Sequence, residues 1–258
     1  MELFVFLDLD DTIFQTKRKC PENKPIFPAA FAQDGSVMSF FTAKQASFFN
    51  ILNHKTRLIP TTARSHSAFL LAHIKGYDYA IINHGGIILN ADGSVHQVWF
   101  DYIKNALEPV VPQLQELQQL VEQEAIKRKI GFKIRLISDL DLTFYLLVKH
   151  EDKNHAALKT LLSEVIEPYL TRHQLDFYCH LNDNNLAVLP RFLNKAPAVS
   201  FLQKELDKQY DEYISVGMGD SVTDIAYMQL CDYFMTPKNS QIVRECIGIH
   251  HHPLNIED

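Results

Sequence analysis

The stretch Leu3-Phe4-Val5-Phe6-Leu7-Asp8-Leu9-Asp10-Asp11-Thr12 decides the fold of this chain. Its apolar run is typical of a strand that is buried on both faces of a parallel sheet. Carboxylates and a hydroxyl follow at once, and crowded like charges are costly unless a cation or a basic group neutralises them. Because ligands bind at the carboxyl ends of strands in α/β sheets, the stretch predicts a charged ligand site after the first strand.

The rest of the core is indicated by strand patterns that alternate with helical patterns. Residues 56–61 and 79–82 are two such strands, and a helix near 197–209 precedes a further strand at 213–216. A β-α-β alternation predicts a parallel sheet with helices on its faces. We therefore predict an α/β fold whose core is a Rossmann-like doubly wound parallel sheet.

An inserted domain is indicated where strand patterns follow one another directly. Residues 87–89 and 96–99 flank the turn signal Asn90-Ala91-Asp92-Gly93 and predict a hairpin. A long amphipathic helix is predicted within 105–128, starting at or after Pro109 or Pro112, and further strand patterns follow it. This order is typical of an α+β domain. The predicted domains are a discontinuous core of residues 1–85 and 189–258 and an inserted α+β cap of residues 86–188.

Composition excludes several functional classes. The chain has 258 residues, 47% of them hydrophobic, and a net charge of −6 without a basic block, so nucleic acid is not an expected partner. No apolar run reaches membrane-spanning length, and the first one ends in acids, unlike a signal peptide. The four cysteines form no Cys-x-x-Cys pair and are expected to be reduced thiols. We expect a cytoplasmic protein with no membrane partner. The run at 250–252 of three histidines is expected to be a tail rather than a metal site.

Four short stretches carry the residues that point to chemistry. They are 8–12, Thr62-Ala63-Arg64, Lys195 and Gly219-Asp220-Ser221-Val222-Thr223-Asp224. Together they offer a nucleophilic carboxylate, a neighbouring acid/base, groups that bind an anion, and a second carboxylate pair for a metal. Each stretch alone also has a structural interpretation, because Thr62 could cap a helix and Lys195 could be a solvated surface lysine.

In these stretches the chain resembles the haloacid dehalogenase superfamily of phosphohydrolases. The Asp-x-Asp-x-Thr motif is complete, and Ser221 stands where many members have glycine. The resemblance implies that Asp8 attacks phosphorus to form an aspartyl-phosphate. It also implies that Asp10 protonates the leaving oxygen and then activates water. The implied phosphate-binding groups are the hydroxyl of Thr62, the ammonium of Lys195 and the backbone N–H of Asp11.

The resemblance also implies a cofactor and a substrate class. Mg²⁺ would be held by the side chains of Asp8 and Asp220 and the backbone carbonyl of Asp10, with Asp224 as a further ligand, direct or through water. The insert lies between Thr62 and Lys195, as in the Cof-type and sucrose-phosphate-phosphatase-like branch. The stretch Thr62-Ala63-Arg64-Ser65 also resembles that branch, with Ala63 where the branch has glycine. That branch implies a sugar phosphate or a similar small phosphorylated metabolite as substrate.

Three points stay open from the sequence. Arg64 is either a substrate contact or one half of a structural ion pair. Residues 16–40 form a surplus before the second motif, which we expect to lie at the rim of the active site. The alternatives to a phosphatase are a phosphomutase of the phosphomannomutase type and a non-catalytic binding protein. The candidates for substrate contact are Arg64, Asn83, His84, Lys133, Arg135, His180, Asn182 and Asn184.

Overall fold

The computed structural model of this chain describes residues 1–182 and 184–247, so the histidines at 250–252 lie outside the described residues. The strands in chain order are β1 (Glu2–Leu7), β2 (Ile26–Phe31), β3 (Val37–Thr42), β4 (Arg57–Pro60), β5 (Tyr79–Ile82), β6 (Ile87–Asn90), β7 (Phe132–Asp139), β8 (Leu142–His150), β9 (Phe177–Asn182), β10 (Asn185–Pro190), β11 (Tyr213–Met218) and β12 (Tyr233–Met235).

The helices are α1 (Ala43–Lys55), α2 (His66–Leu70), α3 (Gln97–Leu107), α4 (Val111–Arg128), α5 (His155–Leu161), α6 (Glu167–Arg172), α7 (Lys195–Leu206) and α8 (Ile225–Met228). Short 3₁₀ turns cover Lys17–Lys19, Asn83–Gly85 and Val222–Asp224, and π-helical segments cover Leu162–Ile166 and Val243–Ile247. Among the described residues, no helix combines the length and the apolar character needed to cross a lipid bilayer.

The chain forms two compact units, which are Met1–Val95 with Lys195–Asp258, and His96–Asn194. The predicted boundaries at 86 and 188 differ from this division at both ends. The first unit keeps β6 because β6 pairs with β5 in an antiparallel ladder. The second unit extends past β10, where the hydroxyl of Tyr178 donates to the carbonyl of Leu193 at 2.9 Å.

The first unit is built on a parallel sheet with the strand order β12-β11-β1-β4. The central strand β1 is buried on both faces, since Phe4, Val5, Phe6 and Leu7 are all 2% exposed or less. Next to β4, the N–H of Thr62 donates to the carbonyl of Ile81 at 2.8 Å, which brings β5 alongside. The predicted α/β class with a parallel core sheet is confirmed.

The surplus segment before the second motif is a hairpin that packs into the first unit. Strands β2 and β3 pair antiparallel, and Ala29 and Ala30 on β2 are fully buried. Gln15, close to the end of the first motif, exchanges two backbone hydrogen bonds with Phe40 on β3, at 3.0 and 2.7 Å. The hairpin is therefore joined to the loop that follows β1.

The second unit is an antiparallel sheet of order β7-β8-β10-β9 with helices packed on one face. The sequence prediction of a strand at 96–99 is wrong, because α3 begins at Gln97. Its buried residues Trp99, Ile103 and Leu107 are spaced four apart, as on one face of a helix. The helix predicted within 105–128, with its start at or after Pro109 or Pro112, is α4, which begins at Val111, while residues 105–107 are the last turn of α3.

Candidate active site

The pairing of β1 with β11 brings the first and last motifs together. Leu7 lies opposite Met218, and the N–H of Asp8 donates to the carbonyl of Met218 at 2.8 Å. Asp8 and Asp220 therefore follow the carboxyl ends of adjacent parallel strands. Asp224 joins them at the end of the 3₁₀ turn, and ligand oxygens of the three carboxylates lie within 4.8 Å of one another.

Lys195 bridges two of these carboxylates. Its Nζ lies 2.6 Å from Oδ1 of Asp8 and 2.6 Å from Oδ1 of Asp224, and its side chain is only 11% exposed. The ring of Tyr227 lies 5.5 Å from the same nitrogen. The hydroxyl of Thr12 donates to the other oxygen of Asp8 at 3.0 Å. A residue that could have been a solvated surface lysine is thus a buried ion-pair partner.

Burial and crowding shift the ionisation of this cluster. Burial raises the pKa of Asp8 to about 8, and the charge of Asp224 adds to the effect while Lys195 opposes it. Burial likewise raises the pKa of Asp220 to about 7. Burial also acts to raise the pKa of Asp224, but the Lys195 ammonium and the hydrogen bonds from Ser221 together outweigh it and hold that pKa below its usual value. Lys195 does not balance the negative charge by itself.

A tight turn around Asp224 fixes its carboxylate, a role that sequence reasoning missed. Oδ2 of Asp224 accepts from Ser221 N at 3.0 Å, Ser221 Oγ at 2.7 Å and Asp220 N at 3.2 Å. A Cβ atom on Gly219 would lie 2.5 Å from the Cβ of Asp224, so only glycine fits there. The glycine of the motif was visible in the sequence, but the close approach that requires it was not.

Thr62 follows the end of β4, the strand next to β1, and is 1% exposed. Thr61 N donates to the carbonyl of Leu7 at 2.7 Å, which places the ends of β1 and β4 side by side. The Thr62 hydroxyl accepts from Arg64 N at 3.2 Å, so it does cap the following turn, and its hydrogen can still donate to an anion.

The turn that follows β5 meets the site through the backbone. His84 N donates to the carbonyl of Thr62 at 3.3 Å, and Asn83 N donates to that of Arg64 at 2.8 Å. Asn83 and His84 both have positive φ angles, 49° and 56°. Asn83 is fully buried, so no part of its side chain meets solvent, whereas His84 is partly exposed.

The two other carboxylates of the first motif each have a basic partner. Arg64 contacts both oxygens of Asp10, with Nε and Nη2 each at 2.7 Å, so Arg64 forms an ion pair in this structure. Lys19, which sequence reasoning missed, lies 2.6 Å from Asp11. The N–H of Asp11 donates to the carbonyl of Phe14 at 2.7 Å, and its contact with a phosphate stays a prediction.

The donor set of this site fits a divalent cation. Three basic side chains, Lys195, Arg64 and Lys19, face five carboxylates, so the fully ionised site carries two uncompensated negative charges. Within the described residues, Asp220 makes no salt bridge. Carboxylate oxygens are the hard ligands that Mg²⁺ prefers.

The predicted candidates of the second unit lie on its sheet. Lys133 and Arg135 are exposed on β7 and alternate with Ile134 and Leu136, which pack against the core of that unit. His180 lies on β9 opposite Ala187, and the backbone of Asn182 pairs with that of Asn185. Asn184 accepts from His150 N at 3.1 Å and donates to His150 O at 2.8 Å, which is a structural contact.

Comparison with known proteins supports the fold through structure rather than sequence. No family model and no curated protein matches the sequence. Among solved structures, an IMP-nucleotidase from Plasmodium falciparum aligns with TM-score 0.57 and 14% identity over 96% of this chain and 67% of its own. The protein TM0651 from Thermotoga maritima aligns with TM-score 0.53 and 14% identity over 95% of this chain and 89% of its own. The chain has the haloacid dehalogenase fold.

The sucrose-phosphatase from Synechocystis aligns with TM-score 0.47 and 19% identity, over 88% of this chain and 79% of its own. In the haloacid dehalogenase fold of this chain, all four predicted motif stretches lie in the first unit. Asp8, Lys195, Asp220 and Asp224 meet directly, and Thr62 lies at the end of the adjacent strand.

Mg²⁺ should stabilise this haloacid dehalogenase fold against heat. A ligand that binds only the folded chain at a hundred times its Kd adds about 2.7 kcal/mol to the free energy of unfolding. We expect a rise in Tm of roughly 5 °C or more for the wild type in scanning calorimetry, and little rise for Asp220→Asn. The control Asp176→Asn removes an 80% exposed carboxylate and should keep the full shift. An equal shift in Asp220→Asn would contradict the metal site.

The Asp8 carboxylate should destabilise the metal-free protein as pH rises. Its folded pKa of about 8 lies above the ordinary value of 3.8, so folding takes up a proton between these pH values and stability falls as pH rises through them. The Asp8→Asn variant has no carboxyl group to ionise at this position, so it does not lose stability in this way. With EDTA present, we compare the free energies of unfolding of Asp8→Asn and wild type at two pH values. We expect the difference, variant minus wild type, to be larger at pH 8 than at pH 5 by about 1 kcal/mol or more. A change in the opposite direction in thermal unfolding would show that Lys195 overcompensates the charge.

Proposed function

We propose that this chain is a Mg²⁺-dependent phosphomonoester hydrolase that works through an aspartyl-phosphate on Asp8. One observation carries the proposal: Asp8 is buried at the end of the central strand, with Lys195 on one oxygen and Thr12 on the other. A carboxylate held in this way is oriented as a nucleophile rather than as a surface charge. The substrate class is a small phosphorylated metabolite such as a sugar phosphate.

Phosphoryl transfer to Asp8 requires groups that offset negative charge. An oxygen of Asp8 attacks phosphorus while the bond from phosphorus to the ester oxygen breaks. The Lys195 ammonium and the Thr62 hydroxyl donate to the phosphoryl oxygens, where charge is concentrated in the transition state. For Lys195, this contact replaces part of its present pairing with Asp8 and Asp224.

Asp10 completes both half-reactions by moving one proton. Its carboxyl protonates the ester oxygen as the alcohol leaves. Its carboxylate then takes a proton from water, whose oxygen attacks the phosphorus of the aspartyl-phosphate and releases phosphate. Asp10 suits this role because its side chain is 48% exposed while Arg64 holds it in place.

Asp8, Asp220 and Asp224 would hold Mg²⁺, with the backbone carbonyl of Asp10 as the further ligand expected from the resemblance. Bound there, Mg²⁺ supplies the positive charge that lets an anionic carboxylate and an anionic phosphate approach each other. The uncompensated charge of the site and the raised pKa values of Asp8 and Asp220 support this assignment.

Substitution of the nucleophile should abolish turnover without unfolding the chain. We expect Asp8→Asn to lower phosphate release from p-nitrophenyl phosphate with Mg²⁺ by at least about a thousandfold, because an amide cannot form the acyl-phosphate intermediate. The control Asp176→Asn should retain wild-type turnover. Persistent activity of Asp8→Asn would exclude Asp8 as the nucleophile. A wild-type protein that leaves the ester intact would favour the non-catalytic alternative.

Product analysis distinguishes a phosphatase from a phosphomutase. We expect a panel of hexose monophosphates and nucleoside monophosphates to release free phosphate in stoichiometric amounts, without a bisphosphate activator. Nucleotides belong in the panel because the IMP-nucleotidase has the same fold. The measurement is phosphorus NMR of the reaction mixture. A positional isomer of the sugar phosphate, formed only with bisphosphate, would identify a mutase instead.

A further inference from the structure

The contact between Arg64 and Asp10 has a defined geometry. Nε of Arg64 donates to Oδ2 of Asp10 and Nη2 donates to Oδ1, both at 2.7 Å. Two parallel charge-assisted hydrogen bonds fix the plane of a carboxyl group as well as its position. The side chain of Arg64 is 15% exposed and that of Asp10 is 48% exposed, so the pair presents its carboxyl outward.

The guanidinium group has three further contacts. The ring of Phe14 lies 5.1 Å from its central carbon. Nη1 donates to the carbonyl of Ala68 at 3.3 Å, and Nη2 donates to the hydroxyl of Ser39 at 3.3 Å. Ser39 belongs to the hairpin and is 3% exposed. These contacts use the planar fork of arginine, which lysine cannot reproduce.

We infer that Arg64 is a positioning residue for Asp10, which fixes the carboxyl in the orientation that proton transfer to the leaving oxygen requires. This inference rests on the proposed function. The two hydrogen bonds occupy one lone pair on each carboxyl oxygen and leave the others for the proton. As the phosphorus–oxygen bond breaks, the proton of the Asp10 carboxyl passes to the leaving oxygen, and the carboxylate that remains stays paired with Arg64.

The inference assigns a function to the surplus hairpin. Ser39 on β3 accepts a hydrogen bond from the guanidinium, and Gln15 joins β3 to the loop that carries Phe14. The hairpin therefore supports the acid/base carboxyl through Arg64. It need not contact the substrate to affect catalysis.

The dependence of rate on the leaving group tests this role. Phenyl phosphate and p-nitrophenyl phosphate have nearly the same shape, but phenol leaves poorly without a proton whereas nitrophenol leaves readily. General acid catalysis contributes about a hundredfold or more where a proton is needed. We expect Arg64→Ala to lower kcat/KM by about a hundredfold for phenyl phosphate and by less than about tenfold for p-nitrophenyl phosphate. The kcat/KM of Arg64→Lys on phenyl phosphate should lie between those of wild type and Arg64→Ala.

Two comparisons make the test specific. Asp10→Asn should likewise lose more kcat/KM on phenyl phosphate than on p-nitrophenyl phosphate. Adding Arg64→Ala to Asp10→Asn should not lower kcat/KM further, because Arg64 acts through Asp10. The matched control is Arg57→Ala, since Arg57 lies at the other end of β4, pairs with Asp78 and stands over Phe4. It should leave the ratio of the two kcat/KM values unchanged.

The possible outcomes distinguish the positioning role of Arg64 from the proposed phosphatase function. The ratio of kcat/KM values does not depend on the folded fraction, so a loss of stability in Arg64→Ala cannot imitate the result. Equal loss on both esters, or additive losses with Asp10→Asn, would overturn the positioning role while wild-type activity remained. Absence of phosphate release by the wild type from either ester would instead overturn the proposed function.

Discussion

The ammonium group of Lys195 joins two buried carboxylates, and the arrangement of the first unit depends on this interaction. Asp8 comes from the start of the chain and Asp224 from its last motif, and each alone would be a costly buried charge. Removing one partner of a buried ion pair typically costs about 3–5 kcal/mol, because the other charge stays uncompensated. Lys195 opens α7 at the point where the chain returns from the second unit, so the pairing also fixes where the first unit resumes.

Much of the core could be predicted because its signals are local. An apolar run ending in carboxylates marks a buried strand and the edge at which its ligand site lies, and the register of β1 with β4 and β11 then places Thr62 and Asp220 at that same edge. The strand predicted at 96–99 failed because four residues cannot distinguish a strand from the first turn of a helix. The burial of Trp99, Ile103 and Leu107, which settles the question, depends on tertiary packing.

The parts of the site that could not be predicted are pairings between distant side chains. Lys19 appears in the sequence as part of a basic run, and only the folded loop after β1, with its 3₁₀ turn at Lys17–Lys19, brings it to Asp11. Arg64 had two interpretations, and its choice of Asp10 depends on Phe14 and Ser39, which lie on other segments. Such contacts leave no periodic signal, because they are set by where the loops pass and not by the pattern of one element.

Asp8 and Asp10 show how one short motif can supply two kinds of carboxyl group. Leu9 between them is fully buried and anchors the loop, while Asp8 is 6% exposed beside an ammonium and Asp10 is half exposed beside a guanidinium. A nucleophile needs a fixed position, whereas an acid/base must reach first the leaving oxygen and then the water that replaces it. Two carboxyl groups placed in such different surroundings can divide these tasks. The division follows from their partners, Lys195 and Arg64, rather than from the carboxyl groups themselves.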